Sequence, residues 1–141
     1  MADRSGLRAT ANWVTLGTPL GLLIAVLAGC QRQPGPRGLI LATGYRAALP
    51  KGAAFTVGNV LLLRQERSLH RPRLLAHEER HATQWAACLG VIGFPLLYAL
   101  ASIWSWVVTG DLHSQNPFER LAGLADGGYR EHPLRWHRSR R

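Results

Sequence analysis

The sequence predicts an α+β domain: a small antiparallel sheet or hairpin packed on a central helix, then an apolar helical hairpin and a further short helix. Three observations predict it. Leu74 to Cys88 reads as a helix with His77, Glu78 and His81 at its centre. Ahead of it, Leu39–Thr43 and Ala53–Leu63 read as extended segments. Behind it, twenty-three residues from Ala86 to Val108 carry no formal charge and are interrupted by Gly90, Gly93 and Pro95, the pattern of two short apolar helices joined at a break.

At 141 residues the chain suffices for one domain with a modest core. It divides into an apolar helical lead (1–30), the domain proper (31–129) and a basic tail (130–141). The formal charge is +9, from 17 Lys plus Arg against 8 Asp plus Glu, and Lys51 is the only lysine. Gene base composition gives such an arginine bias without functional demand. No basic patch interleaved with aromatic residues accompanies it, so nucleic acid is not expected as a partner. With only Cys30 and Cys88, a Cys-only zinc or iron–sulfur site within one chain is excluded. Nothing in their spacing argues for a disulfide, and both read as buried thiols.

Taken in order, the chain opens on a polar stretch with Arg4 and Arg8, then runs from Trp13 to Gly29 without a charge. That length is at the lower limit for a bilayer span, and Gly17, Pro19 and Gly21 weaken a helix on its N-terminal side. Three readings stay open. One is a membrane-inserting or membrane-lying helix. The second is a lipoprotein export signal, with Arg4 and Arg8 as basic start, Leu20–Ala28 as apolar middle and Leu27-Ala28-Gly29-Cys30 as a lipobox ending on a lipidated Cys30. The third is a helix buried against the domain. The matching localisations are membrane-associated, exported and anchored at Cys30, or cytoplasmic. Arginines flank every apolar run, so charge asymmetry selects no topology.

Gln31–Gly38, rich in Pro and Gly, reads as a loop, and Leu39–Thr43 as a short strand closed by Gly44. The chain turns at Pro50. Phe55, Val57, Val60 and Leu62 then fit an extended segment interrupted at Gly58-Asn59, where a bulge or a close backbone approach is expected. Pro72 suits the first turn of the following helix.

On that helix, residues four apart share a face, so His77 and His81 can aim two imidazoles at one point. Two neutral imidazole nitrogens held this way suit zinc. Glu78, at the edge of the same face, is placed to take a proton from a metal-activated water. A solvated face of Glu78, Glu79, Arg80 and two histidines serving only salt bridges is the competing reading. Gln84, three residues past His81, is placed to support the ligands or a substrate carbonyl, or to cap a local polar network.

The segment Leu74-Leu75-Ala76-His77-Glu78-Glu79-Arg80-His81-Ala82-Thr83-Gln84 resembles the HExxHxxQ form of the zincin metallopeptidases, as found in short bacterial zincin-like domains of uncharacterised role. The similarity covers roughly Gly52 to Gly128. It implies a minimal zincin-like fold, zinc as cofactor, Glu78 as general base and a peptide or protein substrate. It also implies that the strand ahead of the helix is a sheet edge along the cleft. Phe55, Thr56, Val57, Gly58 and Asn59 would then hold an extended substrate by main-chain hydrogen bonds; an ordinary core strand is the alternative.

A third protein ligand holds zinc while leaving one position open. No histidine follows His81 within six residues, which leaves the gluzincin pattern of a glutamate on a later helix. Asn116-Pro117-Phe118-Glu119 reads as a helix start, with Asn116 as cap and Pro117 in the first turn, running on to a stop at Gly127-Gly128. The resemblance makes His77, His81 and Glu119 the ligand set. A capping box alone would also account for Glu119, and the position four residues later, acidic in gluzincins, is Gly123. Asp126 falls on nearly the same helical face as Glu119 and is expected to orient a ligand imidazole. Tyr129 and His113 are candidates for stabilising an oxyanion. The last twelve residues, with five Arg and two His, read as a disordered tail able to meet anionic headgroups.

The function expected is therefore that of a zinc-dependent metallohydrolase, a peptidase, in contact with a membrane surface or inner membrane if the apolar runs are lipid-facing. The expectation from a different class is a membrane-associated structural or interaction protein whose metal site is structural or vestigial.

Overall fold

Val60, Leu61, Leu62 and Leu63 have no exposed surface, and the layers of the domain are built around the strand they form. The computed structural model describes residues 3–138. Its elements are α1 (Arg4–Val14), α2 (Gly17–Leu27), β1 (Gln31–Pro34), β2 (Ile40–Thr43), β3 (Ala54–Val57), β4 (Val60–Leu63), α3 (Pro72–Ala87), α4 (Phe94–Thr109), α5 (Pro117–Ala122) and α6 (Arg135–Arg138). Successive strand residues face opposite ways. Val60 and Leu62 accordingly pack with Ala25 of α2 and Trp85, while Leu61 meets Ala82 and Leu63 meets Leu74, both of α3. A strand covered on both sides reads as an unbroken apolar run.

The four-stranded sheet has the order β1-β2-β4-β3. β1–β2 and β3–β4 are antiparallel, but β2 and β4 are parallel, with Ile40 opposite Val60 and Thr43 opposite Leu63. The expected small antiparallel sheet is thus a mixed one, because residues 44–59 carry the chain across the sheet before β4 returns beside β2. β1 lies where a loop was expected: its four residues are all exposed, and only its ladder to β2 makes it a strand. β3 pairs with β4 alone and is the sheet's edge. Gly58 and Asn59 form the turn between Val57 and Val60, so no bulge is present. The close approach is: a β-carbon on Gly58, at φ +63°, would stand 2.3 Å from the backbone of Gly17 and Thr18.

The uncharged stretch 13–29 is not one helix. α1 and α2 meet at Thr15-Leu16 with a bend of 72°. α2 lays Gly17, Thr18, Gly21 and Ala25 on the sheet. No single helix among the described residues is long and apolar enough to cross a membrane, though the bent pair α1–α2 has the length and composition. Asn12, fully buried, donates to Asn59 Oδ1 (2.8 Å) and to the Ala82 carbonyl (2.9 Å), joining α1, the β3–β4 turn and α3. Cys30 and Cys88 are free thiols, Cys30 buried. In the basic tail, the backbone N–H of His132 donates to Ser114 Oγ, and Arg135 opens α6 while donating to the Trp106 carbonyl. Residues 1–2 and 139–141 lie outside the described residues.

Arg8 and Glu79 tie α1 to the outer side of α3. Arg8 is buried and its Nη1 sits 2.8 Å from Glu79 Oε1; Arg37, mostly exposed, pairs with the other oxygen of the same carboxylate. The hydrogen bond from Arg37, then that from Arg8, draw the Glu79 carboxyl down to about 2 against the opposing effect of burial. Glu79→Ala leaves the Arg8 charge buried without a counter-charge, so chemical denaturation should show a loss of about 3 kcal/mol, against at most about 1 kcal/mol for Arg37→Ala. Because the folded value is depressed, this stabilisation is complete above the ordinary carboxyl value of 4.5 and should fade as pH falls toward about 2.

Candidate metal centre

The centre is assembled by α3 and α5. Pro72 opens α3 at its first turn, and its inward face reads Leu74, His77, Glu78, His81, Ala82 and Trp85, all buried. α5 opens on Asn116, whose side chain accepts from the Phe118 N–H. Asn116 therefore caps the helix by itself, and Glu119 is released inward. His77, His81 and Glu119 are buried, and one ligand atom from each lies within 4.8 Å of the others. The separations are 3.1 Å between the two Nε2 atoms, 3.2 Å from His77 Nε2 to Glu119 Oε2 and 3.4 Å from His81 Nε2 to the same oxygen.

The tautomers follow from the other ring nitrogens. His77 Nδ1 is 2.9 Å from the Gly123 carbonyl and His81 Nδ1 is 2.7 Å from Gln84 Oε1. Both partners only accept, so each Nδ1 bears the hydrogen and each Nε2 presents a lone pair. Glu119 Oε2, buried, has no donor. With both imidazoles neutral, three acceptor atoms therefore converge on one point, with no other donor to them among the described residues. Atoms about 2.0–2.1 Å from a tetrahedral zinc stand about 3.3 Å apart, which the observed separations match. The donor set fits a divalent metal ion.

The electrostatics follow the same geometry. Burial is the largest influence on Glu119 and pushes it up, but the positive charge the two imidazoles carry when protonated, with the Tyr98 hydroxyl, holds it well below the usual carboxylate range. Tyr98 O–H donates to Glu119 Oε1, the oxygen turned from the imidazoles. Glu78 is raised, first by burial, against the lowering effects of His81, the Thr56 hydroxyl and His77. Thr56 Oγ1 donates to Glu78 Oε2 at 2.6 Å and so aims that carboxylate.

A cavity of about 670 Å³ opens beside the triad, lined by Glu78, His81 and Glu119, by Phe55, Thr56 and Val57 of β3, and by Trp85, Phe94 and Tyr98. No protein-family model matches the chain, and neither a curated protein nor a solved structure does. The zincin resemblance therefore rests on the motif and on the triad it brings together.

The remaining expected residues divide. Gln84 orients His81 and donates to the Phe118 carbonyl at 2.9 Å, bridging the two ligand helices. Tyr129 and His113 both line the cavity, their rings stacked at 4.0 Å with 11° between planes. Asp126 does not orient an imidazole. α5 stops at Gly123, with φ +92°, well short of Gly127-Gly128, so Asp126 leaves the helical face and pairs with Arg80 at 3.1 Å. Of the edge segment, Phe55, Thr56 and Val57 line the cavity, but Gly58 and Asn59 turn away toward α1 and α2. The outward carbonyl of Thr56 accepts from the Trp85 indole at 3.0 Å, so it is not free for a substrate strand.

Four participants were not singled out from sequence: Tyr98, the Gly123 carbonyl, Gly127, and Thr56 as a partner of Glu78. A signal for Tyr98 existed. Tyr98, Ser102, Ser105 and Thr109 recur every three or four residues in an otherwise apolar stretch, marking a polar helical stripe. Gly127 matters by what it lacks, since a β-carbon there would stand 2.6 Å from Cε1 of His77. Gly127→Ala should displace that ring, and Gln84→Leu should remove the His81 support. Each should weaken metal binding by about 10- to 100-fold, read with zinc as the probe in competition with a chromophoric chelator.

Proposed function

We propose that this chain is a zinc-dependent metallohydrolase acting on peptide bonds. The observation that carries the reading is the convergence of three lone-pair atoms from His77, His81 and Glu119, unsupplied with hydrogen, at the wall of a cavity that also holds Glu78. Zinc held there would polarise a carbonyl and make a water molecule acidic enough to ionise near neutrality.

The protein's own groups take the remaining roles. Glu78 receives the water's proton and passes it to the leaving amine. Burial raises the affinity of the Glu78 carboxylate for a proton above that of an ordinary carboxylate, which favours its taking one from water. The Thr56 hydroxyl holds the carboxylate in position. Tyr98 fixes Glu119 through the oxygen that the imidazoles do not face. Tyr129, whose hydroxyl has no hydrogen-bond partner among the described residues and whose ring lies 6.0 Å from that of His77, donates to the developing oxyanion. The outer edge of β3, through the main-chain groups of Ala54 and the N–H of Thr56, offers hydrogen bonds to an extended peptide. The aromatic wall of Phe55, Trp85 and Phe94 takes an apolar side chain.

Glu78→Gln keeps the shape and removes the base. It should retain one zinc per chain by elemental analysis and lose peptide turnover by about 10²- to 10⁴-fold, whereas His77→Ala and Glu119→Ala should lose the metal itself. A Glu78→Gln chain that hydrolyses peptide as fast as the parent would remove Glu78 from the mechanism. A zinc-loaded parent inactive on a broad peptide library would leave the metal a structural role.

A further inference from the structure

Three helices of this chain are built inside out. α4 turns Ser102, Ser105 and Thr109 inward and leaves Leu96, Leu97, Leu100, Ile103, Trp104 and Val107 in the open, each at least 44 % exposed. α2 buries Gly17, Thr18, Gly21 and Ala25 and exposes Leu20, Leu23, Val26 and Leu27. α1 buries Arg8 and Asn12 and exposes Leu7, Trp13 and Val14. Helices in water do the reverse. Polar groups turned to the protein and large apolar groups turned away is the arrangement for helices that meet lipid.

These faces meet at one corner. The N–H of Val91 donates to the Thr15 carbonyl at 3.3 Å, and Gly90 fits against Thr15 with no room for a β-carbon. The α1–α2 bend and the α3–α4 turn are therefore neighbours. Leu16 and Leu89 stand at the two bends with φ of +64° and +62° and are 58 % and 64 % exposed. That conformation disfavours a branched side chain and costs glycine nothing. Two leucines held there against both backbone preference and water point to an occupant of the corner.

The charge pattern names its chemistry. No Asp, Glu, Lys or Arg occurs from Ala9 to Gln31 or from Ala82 to Gly110, while the chain as a whole carries +9. At the far end of α4, the Arg135 guanidinium lies 5.2 Å over the Trp106 ring, a tryptophan–arginine pair of the kind that settles at headgroup level. From Leu96 to Trp104 the helix rises about 12 Å, comparable with the ~15 Å hydrocarbon depth of one leaflet.

We infer that the corner made by the α1–α2 bend and the α3–α4 turn inserts into one leaflet of an anionic lipid bilayer, with Leu16, Leu89 and Ile92 deepest and the Trp104–Trp106–Arg135 end of α4 at the headgroups. The inference does not depend on the hydrolytic reading. Phe94, Pro95 and Tyr98 of α4 line the metal cavity, so insertion brings that cavity to the bilayer surface.

The test is flotation of the full-length chain, diluted from mild detergent, with vesicles of phosphatidylglycerol and phosphatidylcholine or of phosphatidylcholine alone. The parent should float with the mixed vesicles, less with the neutral ones, and its tryptophan emission should shift to the blue. Leu16→Gly combined with Leu89→Gly should lower partitioning at least tenfold without lowering the thermal midpoint in buffer, because glycine relieves both bends. Leu100→Glu should do the same from α4, and Leu121→Glu, at an exposed position of α5 away from the corner, should change nothing. A parent that stays at the bottom of the gradient with both vesicle types overturns the proposal. So does undiminished flotation of the double-glycine and Leu100→Glu chains. Substitutions that dissociate a soluble oligomer of a chain that ignores vesicles would make the corner a contact between protein copies and overturn it equally.

Discussion

Three lone pairs are pressed together at the buried wall of the cavity, and much of the surrounding structure serves to hold them there. In isolation two neutral imidazoles and a carboxylate would avoid such an arrangement, since each buried acceptor without a donor carries an unmet desolvation cost. Here each atom is held from behind. The Gly123 carbonyl and Gln84 take the Nδ1 hydrogens, and Tyr98 takes the spare oxygen of Glu119. The triad therefore cannot relax by rotating its rings. A site held in this arrangement suits a cation, which converts mutual repulsion into attraction at a common centre.

That this triad could be read from sequence follows from how local its geometry is. Two histidines one helical turn apart share a face whatever the tertiary structure does. Glu119 was legible through Asn116-Pro117, since a good cap and an early proline define the start of α5 and hence the direction of the residue three positions on. The capping-box alternative for Glu119 was also reasonable on local grounds; it fails because the Asn116 N–H donates to the His113 carbonyl and the Glu119 carboxylate turns to Tyr98 and the imidazoles instead. The end of α5 was less legible. Gly123 and Gly127-Gly128 are both stop signals, and only packing against His77 and Arg80 selects the earlier one. The misplacement of Asp126 follows from that single choice.

What the sequence hid was non-local. β1 has no apolar alternation and exists through its partner. The parallel pairing of β2 with β4 depends on the path of residues 44–59, which no periodicity encodes. Asn59 looked like part of an interrupted strand; in fact its side chain and that of Asn12 form a buried polar junction between the N-terminal helix and the sheet, with Asn59 Nδ2 donating to the Ala9 carbonyl. Such networks can specify an arrangement because leaving them half made is so unfavourable. Charge was misleading as well. Arg8 looked like part of an exposed basic start, yet it is buried against Glu79 on the metal helix.

The short α5 and the residues just after it touch α3 through a series of main-chain oxygens: Phe118 to Gln84, Ala122 to Arg80, Gly123 to His77. The same few residues supply Glu119. An ion gripped by both helices would then be a rivet, fastening α5 to α3. Occupancy and cavity shape would then become one variable, so limiting the metal would loosen the chamber itself.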